Sequence, residues 1–405
     1  MSLGNVMVGQ SGGPTSVINS SLVGVYKTAK SRGCKTVYGM RYGIDGLLKE
    51  QYVDLADYIR SDLEVELLKR TPSSFLGTCR YKLPPADQQP EIYEKLFAIL
   101  KKLDIRYFFY IGGNDSMDTI MRLSEYAAAI HSDIRFMGVP KTIDNDLAMT
   151  DHTPGYGSAA KYIAVAMKEI ICDSTTYAVD SVTVVEIMGR NAGWLTAASM
   201  LAKTEDCSGP DLIYLPESVF DLNRFMQQVQ EAKKHKDAVV VAVSEGVKTA
   251  DGKYICESAK SEDPFGHTML GGTALYLADF LGENIGIKSR GIVFSTLQRC
   301  ASHVVSRCDI TEAYTAGAAA VEAALRGETG KMVIFKRLSD MPYCITTDTY
   351  DIRKIANAEK CVPTDWITQN GTYVSDAFEA YARPLIIGEL PPFMVDGLPR
   401  HLSIQ

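Results

Sequence analysis

Residues 140–146 read PKTIDND, placing Asp144 and Asp146 in one short loop with Asn145 between them and Lys141 and Thr142 just ahead. A carboxylate beside a cation and a metal can accept the proton of a hydroxyl group, the step that phosphoryl transfer to a sugar alcohol requires. The bland account is an Asx-type turn with a surface lysine. A second stretch, GGNDS (112–116), sets Asp115 beside a glycine pair. Asn-Asp-Ser is good helix-capping chemistry, but a cap needs only one such residue and no Gly-Gly before it. A third stretch, GQSGGPTS (9–16), offers Gly12 and Gly13 just ahead of a helix N-terminus, where N–H groups and the helix dipole suit a phosphate. Its spacing is neither G-x-G-x-x-G nor a Walker A loop, so by itself it reads equally well as a strand-to-helix turn.

Each stretch follows an apolar run. Val6–Val8, Thr36–Met40, Arg106–Ile111 and Arg135–Val139 read as strands, with helices expected over Ile18–Ser31, Glu91–Leu103 and Ser116–Ile130. Further on, helices near Ala159–Ile171 and Gly193–Ala202 alternate with the strands SVTVVEIM, DLIYL and DAVVVAVSEG. The stretch LNRFMQQVQEAKKH reads as a helix, as do Thr268–Leu281 and Ile310–Arg326. This alternation predicts an α/β architecture with mostly parallel sheets, in two units joined by crossing segments. The segment Tyr343–Gln405 reads as loop-rich. In open parallel sheets ligands sit beyond the carboxyl ends of strands, so the three stretches should share one rim. The same rule gives weight to Arg190 and Glu245, which follow strands in MGR and SEG. Arg290 and Arg299, nine residues apart in SRGIVFSTLQR, carry guanidinium forks that match a sugar phosphate, although singly each suits an ordinary ion pair.

The chain has 405 residues, enough for two or three domains, with an ordinary soluble composition of 46% hydrophobic and 22% charged residues. Its net charge of −7 gives it no global attraction to nucleic acid, so an anionic ligand needs locally clustered cations. Nine cysteines lie scattered without a C-x-x-C pair, which suits a reducing cytoplasm better than a disulfide framework or a zinc site. The opening MSLGNVMVGQ lacks the regions of a signal peptide, and no apolar run approaches membrane-spanning length. A cytoplasmic enzyme or binding protein, with neither nucleic acid nor membrane as partner, is expected.

At this point the residues match a known family. The chain resembles the phosphofructokinases, and most closely their pyrophosphate-dependent branch, from about Val6 to Arg326. Six motifs in one order carry the likeness: SGGPTSVIN (11–19), GTCRYK (77–82), GGNDS, PKTIDND, MGRNAGW (188–194) and SEG (244–246). The resemblance implies two doubly wound, mostly parallel-sheet domains with the active site in the cleft between them. Residues 1–154 would bind diphosphate and Mg²⁺, residues 155–300 would bind fructose 6-phosphate, and residues 301–405 would cross back over both. It implies Asp144 as the base that takes the sugar 1-hydroxyl proton, with Thr142, Asp146 and Lys141 beside it. Gly13, Arg80, Lys82, Gly113 and Asp115 would meet the diphosphate. Met188, Gly189, Arg190, Glu245, Arg290 and Arg299, with Thr142 and Asp144, would meet the sugar phosphate. Asn114, Asp115 and Asp146 would lie at the metal, and a homo-oligomer, dimer or tetramer, is implied.

Two positions bear on the donor. ATP-using members usually carry glycine at the place of Asp115, and glycine or another small residue at that of Lys141. An aspartate there would repel the ATP α-phosphate: two unit charges ~4 Å apart at an effective dielectric of ~20 interact by about 4 kcal/mol. Lys141 would stabilise charge on the transferring group and the leaving phosphate. The implied reaction is reversible: diphosphate and fructose 6-phosphate give fructose 1,6-bisphosphate and phosphate, a step of glycolysis. Three positions depart from relatives. Asn114 replaces a metal-linked aspartate, Ser181 an arginine that reaches across a subunit interface, and Thr296 a histidine near the sugar phosphate. The rival readings are an ATP-dependent 6-phosphofructokinase of the same fold and a non-catalytic phosphosugar-binding regulator. A dinucleotide-dependent dehydrogenase would lack its glycine fingerprint and leave PKTIDND without a role.

Overall fold

The apolar runs become strands of two sheets in the computed structural model, which describes residues 3–176, 178–262 and 268–404. Strands of three or more residues are, in chain order, β1 (Asn5–Gln10), β2 (Val37–Met40), β3 (Tyr52–Asp54), β4 (Ile105–Gly112), β5 (Arg135–Pro140), β6 (Ser181–Ile187), β7 (Leu212–Tyr214), β8 (Ala238–Ser244), β9 (Glu257–Glu262), β10 (Thr268–Leu270), β11 (Lys288–Val293), β12 (Lys331–Asp340) and β13 (Tyr343–Asp351). The first sheet has the order β13-β12-β5-β4-β1-β2-β3 and the second β11-β6-β8-β7, with β9 and β10 pairing antiparallel as a separate two-stranded sheet. Pairing is parallel throughout both sheets except at the edges, where β3 and β13 run antiparallel to their neighbours. The α/β architecture with mostly parallel sheets therefore holds.

Register brings the motifs together. Gln10 at the end of β1 lies beside Ile111 of β4, and Gly112 of β4 lies beside Pro140 of β5. The loops that begin at Ser11, Gly113 and Lys141 consequently open side by side. In the second sheet Ile187 of β6 lies beside Ser244 of β8, and Val293 of β11 beside Glu186. The loops that begin at Met188, Glu245 and Phe294 form a second such row.

Helices cover the sheets because their apolar positions recur on one face. Pro90–Lys102 begins on proline, buries Tyr93, Leu96, Phe97, Ile99 and Leu100, and ends on two lysines that favour the helix C-terminus. Ile18–Ser31 packs against Arg307–Leu325 through glycines: a Cβ on Gly24 would lie 2.1 Å from the Tyr314 carbonyl oxygen, and one on Gly317 would lie 2.1 Å from that of Ser21.

Three expectations need correction. The helix placed over Thr268–Leu281 is Thr273–Ile285, and Thr268–Leu270 is strand. Gly271 and Gly272, both at positive φ, separate the two. The segment from Tyr343, expected to be loop-rich, opens instead on a strand, Tyr343–Asp351, which pairs along β12, and Asp376–Ala382 within it is helical. As an edge strand rich in threonine and tyrosine, β13 alternates half-buried and exposed positions and shows no apolar stripe. The expected Gly193–Ala202 helix is one α-helical turn, Trp194–Ala197, continued as a 3₁₀ segment. No helix among the described residues is long and apolar enough to cross a membrane.

Candidate active site

The two rows of loops face each other across a cleft of about 830 Å³. On the first sheet's side, Ser11 N–H donates to Ile111 O, continuing the β1–β4 ladder. Gly12 then turns to φ +76°, a conformation that glycine adopts without strain. Thr78 Oγ1 donates to Gly12 O at 2.7 Å, and Gly12 N–H donates to Cys79 O at 3.3 Å, so the 77–80 segment backs the glycine loop.

Lys141 lies against this loop. Its backbone N–H donates to Gly112 O, and its Nζ donates to Gly13 O at 2.6 Å. Only 3% of the residue is exposed. Burial pushes its pKa down to about 8, against the pull of the Asp144 and Asp146 carboxylates, while Arg299 and Arg80 push it lower still. These two arginines come from opposite sides of the cleft, so the fields of both rows overlap at Lys141.

The alternation in PKTIDND has a structural reason. Asn145 is the buried, left-handed residue of the turn at φ +56°. Its Nδ2 donates to Tyr381 Oη at 2.8 Å, and its Oδ1 accepts from Thr153 N–H at 3.0 Å. With Asn145 turned into the protein, Asp144 and Asp146 line the cleft on either side of it. Thr142 Oγ1 accepts from Asp144 N–H at 3.1 Å and donates to Asp144 Oδ2 at 3.3 Å, fixing that carboxylate. Burial raises the pKa of Asp144, with Lys141, the Thr142 hydroxyl and Arg190 opposing. Burial raises Asp146 as well, reinforced by Asp144 and Glu359.

GGNDS does not cap its helix through a side chain. The helix is Asn114–Ala129 with Gly113 at the N-cap, so Asn114 and Asp115 form the first turn and line the cleft. Asn114 Nδ2 donates to Asp146 Oδ2 at 3.3 Å, and its Oδ1 is buried with no partner among the described residues.

On the second sheet's side, Gly189 sits at φ +144°, where a Cβ would lie 2.7 Å from Ala192 O. Its N–H donates to Glu245 Oε1 at 3.3 Å, and its carbonyl accepts from the Ser244 hydroxyl. Burial is the main cause that lifts Glu245 to about 7, with Asp144 adding to it. Arg190 lines the cleft, and its buried Nε has no partner among the described residues.

The structure thus gathers Gly13, Arg80, Gly113, Asn114, Asp115, Lys141, Thr142, Asp144, Asp146, Met188, Arg190, Glu245 and Arg299 around one cleft, and Gly189, next in the chain after Met188, is tied to it through its N–H bond to Glu245. Two expected residues stand apart. Lys82 is exposed and does not line the cleft, because the chain turns from Arg80 to bury Leu83. Arg290 lies within β11, opposite Thr183, with its side chain 3.8 Å from Asp173 in a separate groove. The sequence reading missed Asn191 and, from the C-terminal segment, Asn357, Ala358 and Glu359, all of which line the cleft. ANAEK carries no motif, and only long-range folding brings it there.

Known proteins resemble the chain along nearly its whole length. Residues 5–324 match the family model described as Phosphofructokinase. The chain is 40% identical over 408 residues to the pyrophosphate–fructose 6-phosphate 1-phosphotransferase of Methylococcus capsulatus, covering all of this chain and 96% of that protein. It is 32% identical to a sulfofructose kinase of Alkalicoccus urumqiensis, over 91% of this chain and 93% of that one. Among solved structures, the pyrophosphate-dependent phosphofructokinase of Nitrosospira multiformis superposes with a TM-score of 0.89 at 38% identity, covering 98% of this chain and 95% of the other.

Proposed function

The chain belongs to the phosphofructokinase family, and from that premise we propose that it transfers a phosphoryl group reversibly from diphosphate to O1 of D-fructose 6-phosphate. The products are D-fructose 1,6-bisphosphate and phosphate. The observation that carries the donor assignment is the buried Lys141 ammonium, 2.6 Å from Gly13 O and in the field of both aspartates. At pH 7 a lysine with a pKa near 8 is still mostly protonated. It can neutralise charge on the transferring group and the leaving phosphate, where a glycine could not.

In this reading Asp144 accepts the O1 proton as O1 attacks the terminal phosphorus of diphosphate, and phosphate departs with the electrons of the broken P–O bond. Thr142 holds the Asp144 carboxylate in place. Gly13 and Arg80 seat the donor, and Asp115 excludes the α-phosphate of a nucleotide. Met188, Arg190, Glu245 and Arg299 hold the sugar phosphate, with the unpartnered Arg190 Nε as a donor awaiting an anion.

Mg²⁺ fits the donor set. Asn114 offers a buried oxygen without a partner beside the Asp146 carboxylate, and Asp115 follows in the same helical turn. Mg²⁺ commonly takes one or two carboxylates and completes its shell with substrate phosphates and water. When bound, it would screen the charge of the diphosphate oxygens.

A homo-oligomer is part of the proposal, because Arg290 faces the exposed groove with Val293 and Leu297 rather than this chain's own cleft. The scattered free cysteines favour the cytoplasm. Fructose 6-phosphate is preferred over sulfofructose as acceptor because the 40% relative outranks the 32% one at comparable coverage. The test is an assay of purified protein with diphosphate or ATP as sole donor and either sugar as acceptor. Turnover with diphosphate and fructose 6-phosphate is expected; turnover with ATP alone would reject the donor assignment.

A further inference from the structure

Residues 357–362 run between the two rows of loops and bond to both. Asn357 Nδ2 donates to Asp118 Oδ1 at 3.3 Å, on the helix that begins at Asn114. Glu359 then pairs with Leu147 as an antiparallel bridge, and Lys360 N–H donates to Asp146 O at 2.8 Å. The backbone of this segment is thereby sewn to the turn that carries Asp144 and Asp146.

Lys360 contributes its side chain to the same turn. Its Nζ donates to Asp151 O at 2.7 Å and Thr150 O at 3.2 Å, and lies 3.5 Å from Asn145 Oδ1. The ammonium rests over the Trp194 ring, 5.1 Å from its centroid, and Lys360 O accepts from Trp194 Nε1 at 2.8 Å. One residue therefore touches the inward side of the aspartate turn and the far end of the MGRNAGW loop.

Glu359 completes the link. Its Oε1 accepts from Asn191 Nδ2 at 3.0 Å, next to Arg190. Three residues on, Val362 N–H and Gly193 N–H share Glu217 Oε1 at 2.9 and 2.8 Å. The loop bearing Arg190 is thus held to this segment at both Asn191 and Gly193.

We propose that Lys360 and Glu359 are positioning residues of the site: Lys360 holds the turn carrying Asp144, and Glu359 holds the loop carrying Arg190. Together they set the separation between the proton acceptor and the sugar-phosphate cation. This rests on the phosphoryl-transfer reading of the cleft, in which small displacements of reacting groups are costly in rate.

The test compares Lys360→Met, Lys360→Arg, Glu359→Ala and Glu359→Gln with the unaltered enzyme, using diphosphate and fructose 6-phosphate. Absence of turnover by the unaltered enzyme would defeat the proposed function itself. With that enzyme active, Lys360→Met should lower kcat about tenfold or more while leaving the KM for fructose 6-phosphate within about twofold, with partial recovery in Lys360→Arg. Glu359→Ala should raise that KM about fivefold at nearly constant kcat, and Glu359→Gln should restore it because the amide oxygen still accepts from Asn191. Should Lys360→Met fail to fold, Glu359→Ala and Asn191→Ala in a double-mutant cycle decide the matter, and the double variant should be no worse than either single one. Unchanged kinetics in an active enzyme would overturn the inference. So would changes in kcat and KM that merely track a lowered melting temperature, failure of Glu359→Gln to restore KM, or additive effects of the Glu359 and Asn191 changes.

Discussion

Lys141 Nζ donates a 2.6 Å hydrogen bond to the carbonyl oxygen of Gly13, joining the first residue after β5 to the glycine loop after β1. The contact depends on Gly12, whose Cβ, were there one, would lie 3.4 Å from that Nζ at a φ that L-residues rarely adopt. A buried ammonium here is costly unless it meets anions, and in the proposed reaction diphosphate would supply them. Lys141→Met keeps the stem and removes the charge. We expect kcat with diphosphate to fall by about 10²–10³, the range for losing one preorganised charge-stabilising donor. Steady-state kinetics at saturating sugar phosphate check it, and undiminished turnover would remove the electrostatic role from this residue.

The same lysine should set an alkaline limit. Its pKa is lowered to about 8 in the folded chain, chiefly by burial. Since the folded state disfavours the ammonium, this group costs stability below about pH 8, and the cost fades as pH climbs toward the ordinary value of 10.5. In the proposed reaction activity has the opposite sign, because there the charged form is the useful one. We expect kcat/KM for diphosphate to decline above about pH 8 and the kcat limb to lie higher, because bound anions favour the charged form. A kcat/KM profile flat to about pH 9.5 would contradict this.

Asp144→Asn separates binding from chemistry. The amide can still bond to Thr142 but accepts a proton poorly, so turnover should fall by about 10²–10⁴. Fructose 6-phosphate binding, followed by calorimetry, should change only a few-fold, because Arg190, Glu245 and Arg299 are untouched. Retained turnover would show that another group is the base.

How far the sequence discloses this site depends on chain distance. The loops after β1, β4, β5, β6 and β8 were legible because each follows an apolar strand and carries more glycine, amide and carboxylate than a turn needs. Parallel register then aligns the strand ends without further information. Asn357, Ala358 and Glu359 reach the cleft by a return of the chain that no local pattern encodes, and nothing around Lys360 in the sequence signals that its ammonium lies over Trp194. Arg290 shows the opposite failure. Its residue type suits a sugar phosphate, yet its position within β11, before the strand's end, turns it toward Asp173 and away from the cleft of this chain.

The helix contact behind the glycine loop was also hidden, because Gly24 and Gly317 look like weak points in two helical patterns. An exposed Gly→Ala change in a helix normally gains about 1 kcal/mol. Here each new Cβ would come within 2.1 Å of a backbone carbonyl oxygen on the partner helix, so the helices must part. We expect Gly24→Ala and Gly317→Ala each to destabilise by about 1–3 kcal/mol despite the better propensity. Denaturant unfolding measures this, and a stabilised Gly24→Ala variant would show that the helices lie further apart.

Glu245 should show stability and binding in opposition. Burial lifts its carboxyl from the ordinary 4.5 to about 7, so the fold prefers the protonated form. The contribution of this group is therefore full below about pH 4.5 and is lost as pH rises through about 7, where the folded chain must carry a poorly solvated charge. Glu245→Gln keeps the acceptor for Gly189 N–H and removes the charge. Its melting temperature should exceed that of the unaltered protein by roughly 2–5 °C at pH 8, with the difference vanishing near pH 4.5. The KM for fructose 6-phosphate should meanwhile rise about tenfold, since a neutral amide accepts more weakly from sugar hydroxyls than a carboxylate does. Thermal melts across pH and initial rates on the same preparation read both effects. A melting difference that does not change with pH would mean that Glu245 is ionised at no cost, and that the cleft is wetter at this point than its burial implies.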